Sequence, residues 1–281
     1  MYWNYKRLIL GLIDEDTVQR WIVPHLKLGK RGFKTKFDVT KIVQLILKRM
    51  KTGCQWRELS IKEYFDNSGP TWQTVYYYFH KWSKDGSFKE AWIQLLSAHR
   101  QFIDLSSAQL DGSHTPAKRG GEAVGYQGRK ATKTSNSLYL SDSTGQMLVA
   151  GTPQSGEHND LYDICAIFEE MLEVLEQANI NVKGIFLNAD PGFDSEEMKI
   201  FCIQKEIELN VKANKRRSKE PDMEYRYFDE DLYKQRTKIE HANAWPDAFK
   251  AMLVRYEKKI FTWMGLHWLA FTARFLIKLK V

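Results

Sequence analysis

The stretch VKGIFLNADPGFD, residues 182–194, constrains the fold of this 281-residue chain more than any other. A near-continuous apolar run that stops at Asp190, ahead of a Pro-Gly turn, reads as a strand buried on both faces. Such a strand needs helices on each side of its sheet, so strands and helices should alternate around it. Upstream, SAQLDGSHT reads as a strand ending at Asp111, and SNSLYLSDSTGQMLVAGTPQ as two strands joined by a turn from Ser143 to Gly145. Residues 160–179 have the spacing of a helix, as does Ser195 to about Lys205. IELNVKA supplies the last strand, and a final helix contains Glu240. Three strands, helix, strand, helix, strand, helix is the order of an α/β domain with a hairpin-connected front and parallel strands behind.

Before residue 105 the pattern is helical. Asp38 caps a helix running to about Lys51, with Gly53 just past its end, and CQWRELSIKEYF forms a short amphipathic piece. NSGP makes a turn and Thr71 offers a cap. Trp72, Val75, Tyr78, Phe79 and Trp82 then recur at core spacing until Gly86. The opposite face carries Gln73, Thr74, Tyr77, His80 and Lys81, groups able to meet base edges and phosphates. Short helices with a turn before a polar-faced one give the outline of a helix-turn-helix reader. Charge agrees: residues 1–105 hold 18 Lys and Arg against 10 Asp and Glu, while the remainder hold 24 against 25. The net +7 therefore belongs to the first third, which suits a polyanion partner. The expected division is a helical domain suited to binding nucleic acid over 1–104 and an α/β domain over 105–281.

Other classes fall away. Cys54, Cys165 and Cys202 are far apart, with no CxxC, which argues against a zinc finger or a disulfide framework and fits a reducing cytoplasm. The N-terminal apolar run is too short for a signal peptide. IFTWMGLHWLAFTARFLIKLKV is strongly apolar, but His267, Arg274 and Lys278 interrupt it, so a buried terminal helix is expected and no membrane partner.

Carboxylates at strand ends are well placed to hold a divalent ion that prefers oxygen ligands. Asp111 and Asp190 both qualify, although an Asp before a Gly is ordinarily a turn former. Asp142, in a hairpin turn, and Asp194, ahead of a helix, rank below them. In YKQRTKIEHANAW, Tyr233, Arg236 and Glu240 fall within about 60° on one helical face. Locally, Arg236 and Glu240 make an ordinary i, i+4 ion pair, and Pro246 should kink the helix.

These segments together resemble the DDE transposases of the insertion-sequence five (IS-five) family of bacterial mobile elements. TGCQWRELS and VYYYFHKWSKDGSFKEAW are similar to that family's N-terminal domain. LDGSHT resembles its first aspartate motif, SGEHND the segment before its first helix, NADPGFDS its second aspartate motif, and YKQRTKIE its Tyr, Arg and Glu signature. The resemblance implies a ribonuclease H-like mixed five-stranded sheet flanked by helices, behind a small all-α helix-turn-helix-like domain. It implies Asp111, Asp190 and Glu240 as catalytic metal ligands for two Mg²⁺ ions, with Mn²⁺ able to substitute. Tyr233 and Arg236 become DNA contacts, joined by Lys238 and by Arg119, Arg129 and Lys130 in the basic segment 112–133. Implied partners are double-stranded DNA, both element ends and target, and further copies of the chain. One departure stands out: Asp247 occupies the place of the family's lysine. A transposase-derived DNA-binding protein that no longer cuts, and a host nuclease of the same fold, are the alternatives.

Overall fold

The structure is a computed structural model that describes residues 13–29, 35–65, 68–213, 228–234 and 248–279. Arg236, Lys238, Glu240, Pro246 and Asp247 lie outside the described residues. The chain forms two compact units, one of Met1–Leu95 with Pro246–Val281 and one of Leu96–Trp245.

The helical unit begins with α1 (Glu15–Trp21), whose first turn is capped by Asp14 accepting from the Thr17 amide at 2.8 Å. In α2 (Val39–Thr52) Asp38 caps Thr40 at 2.8 Å, and Gly53 ends the helix at φ 67°, a conformation that suits glycine. The short amphipathic piece CQWRELSIKEYF contains two 3₁₀ turns, Trp56–Glu58 and Ile61–Glu63. Helix α3 (Trp72–Lys84) buries Val75, Phe79 and Trp82 completely, and α4 follows over Ser87–Ala98. Trp72, expected in the core, is 36% exposed, because it stands in the first turn of the helix and only the turns beyond it are covered. Thr71 precedes α3 without a side-chain cap bond.

The C-terminal segment belongs to this unit, which corrects the expected division at 104/105. After the short α8 (Lys250–Leu253), α9 (Ile260–Leu279) is 78% buried over its most apolar window. By length and composition α9 could cross a membrane, but a helix apolar on every side also serves as the centre of a bundle. Phe261 meets His80 edge-on at 4.9 Å, Trp92 packs on Phe271 and Phe275 at 5.7 and 5.8 Å, and Gly265 leaves room for Ser83. Arg49 on α2 pairs with Glu257 at 2.9 Å, both side chains 6% exposed, tying the returning chain down.

In the other unit the strands are β1 (Ala108–Pro116), β2 (Gly125–Gln127), β3 (Thr132–Ser141), β4 (Met147–Ala150), β5 (Gln154–Ser155), β6 (Phe186–Asn188) and β7 (Glu208–Asn210). They run β2-β3-β1-β6-β7, with β4 and β5 also pairing β3. Pairing is antiparallel between β1, β3 and β4 and parallel from β1 through β6 to β7. Helix α5 (Ile164–Gln177) precedes β6, and α6 (Glu196–Gln204) connects β6 to β7. This is the ribonuclease H-like arrangement expected, enlarged by the two short strands β2 and β5 to seven. Two local expectations change. β1 does not end at Asp111 but continues to Pro116, held by eight registered partners on β3. Much of the supposed basic loop 112–133 is therefore strand or tight turn.

Two outcomes follow from the helical unit. Glu257→Ala leaves Arg49 buried without its partner and should lower unfolding free energy by about 3 kcal/mol, read by urea denaturation. His267, fully buried in α9, is pushed down to about 4 by burial, with Arg255 adding to the effect against the bond to the Trp263 carbonyl. The unfolded chain takes up that proton near pH 6.5 and the native chain does not until about 4, so stability should fall as pH drops through this window. His267→Leu should flatten that part of the stability–pH curve.

Candidate active site and nucleic-acid face

Within the sheet unit, β1 and β6 are in parallel register at Ala108↔Leu187 and Gln109↔Asn188. Asp111 lies two residues beyond the last registered pair on β1, and Asp190 two residues beyond it on the chain leaving β6. Asp111 sits where β1 leaves β6 while still paired with Tyr139 on β3. Burial pushes the Tyr139 phenol far up, so it stays protonated beside Asp111. Asp190 follows β6 in extended backbone and caps the Pro191–Phe193 turn, accepting from the Gly192 amide at 2.7 Å. Both aspartates are half-buried, open enough to be reached from solvent.

Two buried asparagines that the sequence reading passed over fix the approach of the next element. Asn210 donates to the Asn188 side chain at 2.7 Å and to the Asp229 carbonyl at 2.9 Å, and its own oxygen accepts from the Asp229 amide at 3.0 Å. Asn188 donates to the Leu232 carbonyl at 3.0 Å. The pair thus clamps α7 (Glu230–Lys234) to the ends of β6 and β7, two residues before Asp190. Tyr233 lies on that helix, with the Lys212 ammonium 5.0 Å from its ring centre and Phe228 at 5.1 Å. The signal was available: two polar residues at the ends of otherwise apolar strands need buried partners.

A cavity of about 450 Å³ opens beside Asp190, lined also by His114, Gln127, Arg129, His158 and Asp160. The Gln127 amide donates to the Gly156 carbonyl at 3.2 Å and approaches His114 Nε2 at 3.3 Å, while its oxygen accepts from the Arg129 amide. Nε2 therefore accepts, and Nδ1 carries the proton toward Thr134 Oγ1 at 3.1 Å. Burial holds His114 below its ordinary value; Asp160 opposes this, and Lys130 and Arg129 reinforce it. His114 is a neutral, fully engaged structural residue. Arg119, Arg129 and Lys130 are exposed, as a phosphate-binding role requires, with Lys130 donating to the His114 carbonyl at 2.7 Å. Asp142 is buried under its hairpin turn, accepting from Thr144 and Gln146, and Asp194 pairs with Lys199 at 3.5 Å. Both are structural. Burial raises the Cys165 and Cys202 thiols to about 11 and 12, so neither serves as a nucleophile.

Carboxylate oxygens such as those of Asp111 and Asp190 are the ligand type that a divalent cation of the Mg²⁺ or Mn²⁺ class takes. Among the described residues no three His, Cys, Asp or Glu are grouped to hold a metal ion, and the third expected ligand, Glu240, is outside them.

In the helical unit, α3 presents Gln73 and Tyr77 fully outward, Tyr77 at 59% exposure, with Thr74 and Lys81 partly covered. Lys81 spends one donor on the Lys27 carbonyl at 2.7 Å. The exposed face is the one the sequence assigned to a polyanion.

Residues 16–92 match the family described as "Putative transposase of IS4/5 family". No curated protein matches the chain. Among solved structures, the piggyBac transposase synaptic complex with hairpin DNA aligns at 10% identity and TM-score 0.45, covering 94% of this chain and 71% of that one. The catalytic domain of Mos1 mariner transposase aligns at 10% identity and TM-score 0.30, covering 69% of this chain and 90% of that one.

Because Tyr77 is exposed, Tyr77→Ala should leave thermal stability unchanged while weakening duplex DNA binding several-fold. Lys81→Ala should lower the slope of log affinity against log salt by about one phosphate contact. An unchanged slope would remove this face from the interface.

Proposed function

We propose that this chain, whose residues 16–92 fall in the IS4/5 transposase family, is a metal-dependent DDE transposase of a bacterial insertion sequence. The observation that supports this reading is that Asp111 on β1 and Asp190 just past β6 follow the paired ends of neighbouring parallel strands in a ribonuclease H-like sheet. The Tyr233, Arg236 and Glu240 signature lies downstream in the required order.

In this reading Asp111, Asp190 and Glu240 hold two divalent cations, Mg²⁺ in the cell. Such ions, when bound, activate an attacking oxygen and neutralise charge on the scissile phosphate. The chain's own residues do the rest. Arg119, Arg129 and Lys130 are exposed and can meet the DNA backbone from the sheet unit, and Arg236 and Lys238 supply further cations near Glu240 in the sequence. Tyr233, fixed through the Asn188 and Asn210 clamp, gives an aromatic surface at the same end of the sheet. His114 is held in place by bonds at both ring nitrogens, to Thr134 and Gln127. The polar face of α3 reads the inverted ends through the major groove. Joining two ends requires two sites, so the working form on DNA contains at least two copies. A protein acting on such DNA works in the cytoplasm.

Glu240→Gln should retain binding to end DNA and lose Mg²⁺-dependent cleavage by a factor of 10³ or more, measured on labelled end fragments. Cleavage at the normal rate would overturn the triad. Hydrolysis with no joined product, in a wild-type assay supplied with target DNA, would favour the nuclease alternative.

A further inference from the structure

Alternation along β3 turns Lys133, Ser135, Ser137 and Tyr139 to one face of the sheet, and the register with β1 sets Thr115, Ser113 and Asp111 opposite the last three. Tyr126 on β2 is registered with Lys133, so it shares the Asp111 face. The intervening residues agree with this assignment: Gln127 reaches His114 and the Gly156 carbonyl on the other face, and Asn136 reaches Asp160 there. The Asp111 face opens along its length. Ser135, Ser137 and Tyr139 are buried, Ser113 and Thr115 half-buried, and Lys133 and Tyr126 exposed, the latter at 58%. Lys133 accepts from the Ala117 amide, so it and Tyr126 stand level with a position six residues past Asp111, about 20 Å along the strand direction. Cations flank this position in the chain. Lys118 and Arg119 follow β1, and Arg129 and Lys130 occupy the turn between β2 and β3, all four exposed. The only acid between residues 112 and 133 is Glu122. An open aromatic ring on a sheet beside cations is the arrangement that takes unpaired nucleotides, the ring stacking on a base and the ammonium meeting a phosphate. A duplex gives such a ring nothing to stack on, because its bases already cover one another.

We propose that the turn end of the β2–β3 hairpin is a cradle for unpaired nucleotides of the DNA strand handled at Asp111, with Tyr126 stacking on a base and Lys133 binding a phosphate next to it. The identity of that strand rests on the DNA-cleaving reading above; the binding of single-stranded DNA does not. The cradle lies on the face opposite the cavity lined by His114 and Asp160, so the two sites do not compete for the same side chains.

The test titrates labelled oligothymidylate with the full chain in the absence of divalent ions, so that fluorescence anisotropy reads binding apart from any cleavage. Tyr126→Ala should weaken this binding about tenfold and Tyr126→Phe should not, because the ring and not the hydroxyl makes the stack. Lys133→Ala should lower the slope of log affinity against log salt by about 0.7, the value for one phosphate of a single strand. Both side chains are exposed, so melting temperatures should stay at the wild-type value. Affinity for a blunt duplex of the same length should stay within about twofold of wild type in Tyr126→Ala. Unchanged oligothymidylate affinity in that variant would overturn the proposal. Equal losses on single strand and duplex would do the same, since they mark a backbone contact and not a stacked base. The two levels of inference separate cleanly. A wild-type chain that binds oligothymidylate through Tyr126 but cuts no end DNA with Mg²⁺ keeps the cradle and loses the transposase reading; normal cleavage with single-strand binding indifferent to Tyr126 loses only the cradle.

Discussion

Everything in the sheet unit depends on β1 having two neighbours of unequal length. Its antiparallel ladder with β3 holds it straight from Gln109 to Pro116, whereas its parallel pairing with β6 lasts for two registered residues. The strand is therefore rigid where it is no longer covered on one edge. Asp111 sits just past that transition, and Asp190 stands where β6 gives way to a capped turn. Asp111 is held by the β3 ladder, and Asp190 by the turn that it caps.

Around this frame the polar side chains are committed to fixed partners. Asn188 and Asn210 satisfy each other and three backbone groups of 229–232, so the chain leaving β7 returns to the end of β6. Gln127 fixes the His114 tautomer, and Asp142 organises the β3–β4 turn. Each arrangement removes a polar residue from the list of reactive ones, because a group whose donors and acceptors are all engaged has nothing left to offer a substrate. The carboxylates beside the cavity and the exposed cations are what remain.

The helical unit obeys a different rule. Its short helices bury one face, and the largely apolar α9 supplies the surface against which α3 and α4 pack. The unit is closed by residues about 200 positions apart in sequence, as the Arg49 to Glu257 pair illustrates. A chain that returns in this way gives α3 a support that residues 1–95 alone would not provide.

The sequence by itself determined the element order, the apolar character of β6, the caps at Asp38 and Gly53, the exposed face of α3, and the two aspartates with their turn residues. Those features are local: periodicity, capping and turn chemistry act over a few residues. It did not reveal that β1 runs past Asp111, since a polar, Gly-containing stretch resembles a loop until β3 pairs with it. Nor did it show that α9 belongs with the first helices, or that Gly112 makes room for Asp160, forty-eight residues away in sequence. An apolar helix carries no label for its partner, and a missing side chain carries none for the group that replaces it. Only tertiary packing, which must fill volume and pair buried polar groups across the whole chain, decided those.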